Sequence, residues 1–119
     1  MEELKKTIEQ SLVDLAELEK NVDVLLEKSD ESTLSAIRDT VYRIHTALTE
    51  ASQRMETPEN AQKIQGVAED VSRVSELCQD YVTERNDKTK DEIRNTLGGV
   101  ERKLGEFFAA IEHYLQTDK

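Results

Sequence analysis

His45, His113 and Cys78 are the residues of this chain best equipped for chemistry at neutral pH. An imidazole exchanges protons and binds metals, and a thiolate attacks electrophiles. Their neighbours decide whether either chemistry is available. Carboxylate-bridged metal sites in helical bundles place a glutamate three residues before each ligand histidine. Here the residues three before are Tyr42 and Ala110, and those four before are Val41 and Ala109. Leu48 and Gln116 follow at three, Thr49 and Thr117 at four. Neither histidine shares its helical face with a ligand-type side chain, and one cysteine makes no zinc cluster. Met55 and His45 fall on one predicted helix and cannot flank one haem iron. The expectation is no metal and no cofactor.

Nucleophilic catalysis has no better footing. Cys78 falls on an apolar stripe, where burial raises a thiol's pKa and makes it inert. No Gly-x-Ser-x-Gly elbow occurs, and no glycine loop suited to phosphate follows a strand. The chain reads as a non-enzyme.

One stretch carries a resemblance. Tyr42-Arg43-Ile44-His45-Thr46-Ala47-Leu48-Thr49-Glu50-Ala51-Ser52 distantly resembles the histidine phosphotransfer domains, helical bundles that display a reactive imidazole on a helix. The resemblance implies His45 as a phosphoacceptor. That family usually carries lysine three residues after the histidine and glycine four after it, and this chain has Leu48 and Thr49. The lysine would help neutralise an incoming phosphoryl group, and the glycine would clear space for a docking partner. Glu50 adds negative charge nearby. His113 falls on a polar face and is expected to meet solvent.

The elements that must position these residues follow from hydrophobic spacing. Leu4, Ile8, Ser11, Leu15, Leu18, Val22 and Leu25 form the first stripe. Leu34, Ile37, Val41, Ile44, Leu48, Ala51 and Met55 form the second. The third runs Ile64, Val67, Val71, Val74, Cys78, Tyr81, and the fourth Ile93, Leu97, Val100, Leu104, Phe107, Ile111, Tyr114. Alternating steps of three and four put each set on one side of an α-helix, as in a coiled coil. Leu12, Leu26, Ala68, Leu77, Val82, Phe108 and Leu115 widen the stripes beyond a two-stranded seam. Polar breaks at Ser29–Ser32, Thr57–Glu59 and Asn86–Lys88 separate helices expected over 2–28, 31–56, 58–86 and 88–117. Short breaks force antiparallel neighbours. The predicted fold is all-α, an antiparallel up-down-up-down four-helix bundle, in one domain over residues 1–119. A monomer is favoured, with a homodimer as the alternative, because heptads do not specify intramolecular partners.

Composition narrows the partners. The net charge is −10. An acidic chain repels nucleic acid and anionic membrane at long range, so neither is an expected partner. No apolar run reaches the length of a membrane span. The opening Met1-Glu2-Glu3-Leu4-Lys5-Lys6 lacks the apolar core of a signal peptide, and the single cysteine fits a reducing cytoplasm. The leading functional expectation is a small adaptor, regulator or inhibitor that binds another protein through helix faces. A phosphotransfer-like domain using His45 is the first alternative. An acidic nucleic-acid mimic that blocks a basic partner is the second.

Two patches stand out as contact candidates. Tyr42 lies off its stripe beside Arg38 and Arg43, a combination common at interfaces. Gly98 and Gly99 sit inside the fourth helix, where glycine is unfavourable. The phase puts Gly98 beside the core and Gly99 outward. Two accounts follow: close approach of a neighbouring helix to Gly98, or a soft point where the helix bends to meet a partner.

Overall fold

A computed structural model describes residues 2–117 of the chain, with side chains to residue 113. Four helices follow one another: α1 (Glu2–Lys28), α2 (Glu31–Gln53), α3 (Pro58–Thr83) and α4 (Asp87–Thr117). They form a bundle of 51 × 21 × 19 Å, with each helix antiparallel to the next. α1 packs on α2, α2 on α3, α3 on α4, and α4 closes the ring against α1. α1 also touches α3 across the diagonal, whereas among the described residues α2 and α4 do not meet.

The core is the set of stripes read from the sequence. Ile8, Leu18, Leu25, Leu34, Ile37, Ile44, Leu48, Ile64, Ile93 and Leu104 are wholly buried. Removing these apolar faces from water is the main stabilising term, since in a protein most helical stability comes from packing an amphipathic face. Two polar residues enter the core. Thr40 donates its hydroxyl to the Ala36 carbonyl, whereas the buried Ser11 hydroxyl has no partner among the described residues. Phe107 and Phe108 are only half-buried, contrary to the expectation from phase, because the buried Leu104 and Ile111 hold the middle of the core-facing stripe and the two rings flank it on either side. Lys5 stands over the Phe108 ring at 5.8 Å and covers part of it. Tyr114, also expected in the core, lies outside the described side chains.

Local chemistry ends each helix. Ser29 takes φ 54°, and its N–H closes on the Leu25 carbonyl at 2.7 Å, the left-handed cap that stops α1. Asp30 then caps α2 by accepting from Thr33 N at 2.7 Å. Hydrogen bonds from Thr33, helped by Ser32 and the Lys28 charge, hold the Asp30 carboxyl below its usual range. α2 ends at Gln53 rather than residue 56. Arg54 N and Met55 N fold back to the carbonyls of Ala51 and Ser52, which tightens the turn and leaves Met55 outside the helix. Thr57 occupies the cap position before Pro58 and makes no side-chain cap bond. α3 stops at Thr83 rather than 86, because Glu84 is extended at φ −143°. α4 begins at Asp87, with the Asn86 side chain accepting from Lys88 N at 2.8 Å. Asn86 therefore caps this helix, which begins one residue earlier than the start expected at 88.

Polar contacts tie the seams. Glu17 meets Arg43 at 3.0 Å between α1 and α2. Asp70 meets Lys103 at 3.3 Å, and Arg73 meets Glu92 at 3.4 Å, between α3 and α4. Arg43 and Arg73 thus reach across helices rather than to Asp39 and Glu69 four residues before them. Exposed pairs of this kind contribute about 0–1 kcal/mol each and mainly favour one arrangement of neighbours. The α1/α4 seam differs: burial, then the Glu101 and Asp23 charges, push the Glu19 carboxyl above its ordinary pKa. No described helix is long and apolar enough to cross a membrane.

Candidate functional site

Arg38, Tyr42 and His45 lie on one flank of α2, spaced by four and three residues, so the helix carries them in a row. Val41, Ile44 and Leu48 are buried beneath them and set the rotation of α2. Ser72 and Ser75 face them from α3, also spaced by three. Together these side chains and Val41 line an open groove of about 250 Å³ between α2 and α3. Tyr42 is 69 % exposed and stands on the rim, one of two large apolar-bodied side chains so exposed among the described residues. The other is Val13, at 61 %, isolated on α1. Arg38 donates to the amide oxygen of Gln79, which pins the guanidinium across the seam.

Among the described residues no carboxylate lines this groove, although the chain has 26 Asp and Glu residues. A region of bare donors on an acidic protein is an electrostatic feature in its own right. His45 is half-buried here and has no acidic partner in the groove to set up acid–base work. Leu48, where a phosphotransfer domain usually carries lysine, is wholly buried in the core. Among the described residues no three His, Cys, Asp or Glu side chains gather as a metal set.

The other expected contact residues are dispersed. Arg43 leaves the groove for the α1 side, where Glu17 takes it. Gly98 and Gly99 lie on α4, which α2 does not touch. Their predicted faces are reversed: Gly98 is exposed and Gly99 half-buried. A methyl group at either would meet nothing within 4 Å, and neither has a positive φ. Close approach of a neighbouring helix to Gly98 is therefore wrong, and α4 continues through both glycines. Cys78 is wholly buried, and burial pushes its thiol up to about 12, so no thiolate is available at neutral pH. His113 is exposed on α4, far from a shared site with His45.

Ser72, Ser75 and Gln79 were not singled out from the sequence. Their spacing was visible, but which helix they face depends on how the bundle closes. A larger cavity of about 520 Å³ lies at the C-terminal end of α2, between the start of α1 and the α2–α3 turn. Arg54 bridges it, reaching Glu3 at 3.6 Å and Glu50 at 3.7 Å. Its mixed lining, including Leu4, Met55 and Asn60, converges on no reacting centre.

No protein-family model, curated protein or solved structure matches this chain. The fold class, an all-α antiparallel four-helix bundle, thus stands on the helices and their packing.

Proposed function

We propose that this bundle is a non-enzymatic interaction module that docks another protein on its α2/α3 face. The observation that carries the reading is Tyr42, held 69 % exposed on the rim of a groove that contains Arg38 and His45. Tyrosine fixes only two side-chain torsions for a large contact area, and tyrosine and arginine dominate the energetics of many interfaces. The buried row Val41, Ile44 and Leu48 holds them rigidly from below. A cytoplasmic monomer belongs to this reading, supported by the buried free thiol of Cys78 and by apolar stripes that are used up inside one bundle.

The test compares partners captured by the wild-type protein with those captured by Tyr42→Ala and by Val13→Ala on α1. Tyr42→Ala should weaken capture by tenfold or more, on the order of 2 kcal/mol. Val13→Ala should leave it unchanged. Equal capture by all three proteins would refute the docking face.

A second reading, His45 as phosphoacceptor, is favoured by one observation: its ring borders a groove that also holds a guanidinium. Incubation with acetyl phosphate separates the two. Acid-labile labelling that His45→Gln removes would support phosphotransfer, and absence of label would leave the docking module.

A further inference from the structure

Three arginines at the helix seams are neutralised by carboxylates. Arg43 meets Glu17 at 3.0 Å, Arg73 meets Glu92 at 3.4 Å, and Arg54 meets Glu3 and Glu50 at 3.6 and 3.7 Å. Arg38 is held differently. It donates to the neutral amide of Gln79, and among the described residues no carboxylate comes within ion-pair distance of it. A guanidinium has five N–H donors in a rigid fork, so one bond to an amide orients it and leaves donors open without an ion-pair partner. Beside it, the side chains of Tyr42, His45, Ser72 and Ser75 make no hydrogen bond to any described residue. Among the described residues the groove thus holds one positive charge, four uncommitted polar side chains able to donate, and no acid. Its complement is an anionic acceptor.

We infer that the α2/α3 groove reads a single carboxylate side chain of a protein partner. This rests on the docking reading above and gives that surface its chemistry. Arg38 supplies the charge, and the hydroxyls of Ser72, Ser75 and Tyr42 place the carboxylate oxygens. The chain's net charge of −10 selects the monoanion. Arg38 brings one unit of positive charge, which a carboxylate neutralises, whereas the second charge of a phosphoryl dianion stays unmatched against the acidic surface. The same surface attracts cationic segments, so the fitting partner is a basic segment with one central Asp or Glu. The carboxylate then sets the register, and the long-range field brings the segment in.

Acetate, neutral acetamide and inorganic phosphate are the probes, titrated into the full chain. NMR signals of the His45 ring and of the Ser72 and Ser75 amides report binding. Acetate should shift these signals saturably, acetamide should not, and phosphate should bind more weakly than acetate. Arg38→Gln, at an exposed position, should weaken acetate by at least about tenfold, the worth of a charge-assisted hydrogen bond. If that variant loses helicity, Ser72→Ala with Ser75→Ala takes its place and should also weaken acetate. Equal responses to acetate and acetamide would overturn the inference, as would acetate binding that these substitutions do not change. Tighter binding of phosphate would overturn the choice of a carboxylate. No partner protein enters this titration, so its failure leaves the Tyr42 comparison standing, and failure of that comparison leaves any acetate result readable.

Discussion

The Tyr81 hydroxyl donates to the Leu26 carbonyl at 3.3 Å, tying the last turn of α3 to the last turn of α1 across the bundle diagonal. Arg85 donates to the same carbonyl, also at 3.3 Å, and its guanidinium lies 5.7 Å from the Tyr81 ring. Carbonyls at a helix C-terminus lack partners within the helix, and the end carries partial negative charge. One aromatic hydroxyl and one cation meet both needs here. The contact lies on the α1/α3 diagonal, the one along which helices of this bundle meet among the described residues.

Tyr81→Phe should therefore lower stability by about 1 kcal/mol, the net worth of a buried hydrogen bond. Urea unfolding should show a lower midpoint with an unchanged slope, because the folded surface stays the same. An unchanged midpoint would mean that the hydroxyl is equally well satisfied by water.

Gly98→Ala and Gly99→Ala should each stabilise the protein by about 0.5–1 kcal/mol. Both positions are helical, and an added Cβ meets no atom within 4 Å. Thermal unfolding of the two variants and of the double variant checks this, and the increments should add. A loss of stability at either position would show that α4 is not continuous there.

Native Cys78 should react with thiol reagents only as fast as the protein opens. The side chain is wholly buried, and a thiol pushed up to about 12 presents almost no thiolate at neutral pH. Labelling should become rapid in denaturant. Immediate stoichiometric labelling of folded protein would contradict the packing of α3.

Two carboxylates should give stability opposite pH dependences. Glu19 has a raised pKa in the folded protein, from burial first and then from Glu101 and Asp23. Its contribution is fully favourable below the unfolded pKa and is lost as pH rises through the folded one. Glu19→Gln should therefore stabilise the bundle at neutral pH, and the gain should fade in acid. Asp30 has a lowered pKa, so its capping contribution is present above the unfolded pKa and is lost as pH falls through the folded one. Asp30→Asn, which can still cap, should remove that acid-side loss. Denaturation of both variants across the acidic range gives the measurement. A pH-independent difference for Glu19→Gln would refute its raised pKa.

Periodicity made the helices and the core readable without coordinates. Leu18, Ile44, Ile64 and Leu104 recur at steps of three and four, and only a helix brings such residues to one face. The same phase buried Cys78 and Leu48 and exposed Tyr42, so much of what each side chain could do was legible one helix at a time. Caps were partly legible, because Asp30 and Thr57–Pro58 have local signatures. The early ends of α2 and α3 were not, since the apolar phase of α2 continues to Met55 and the Glu84-Arg85 that follows α3 carries no local stop signal. Between helices the sequence was silent. Arg43 had an acid four residues before it on its own helix yet pairs with Glu17 on α1. Arg38 reaches Gln79 at the opposite seam. Heptad stripes record that a face is buried, not which neighbour buries it or how far the helices slide and rotate. Those are set by the simultaneous packing of all four helices, and so only the tertiary structure could separate Arg43 from Arg38 and Tyr42, join His45 to Ser72 and Ser75, and leave Gly98 with open space around it.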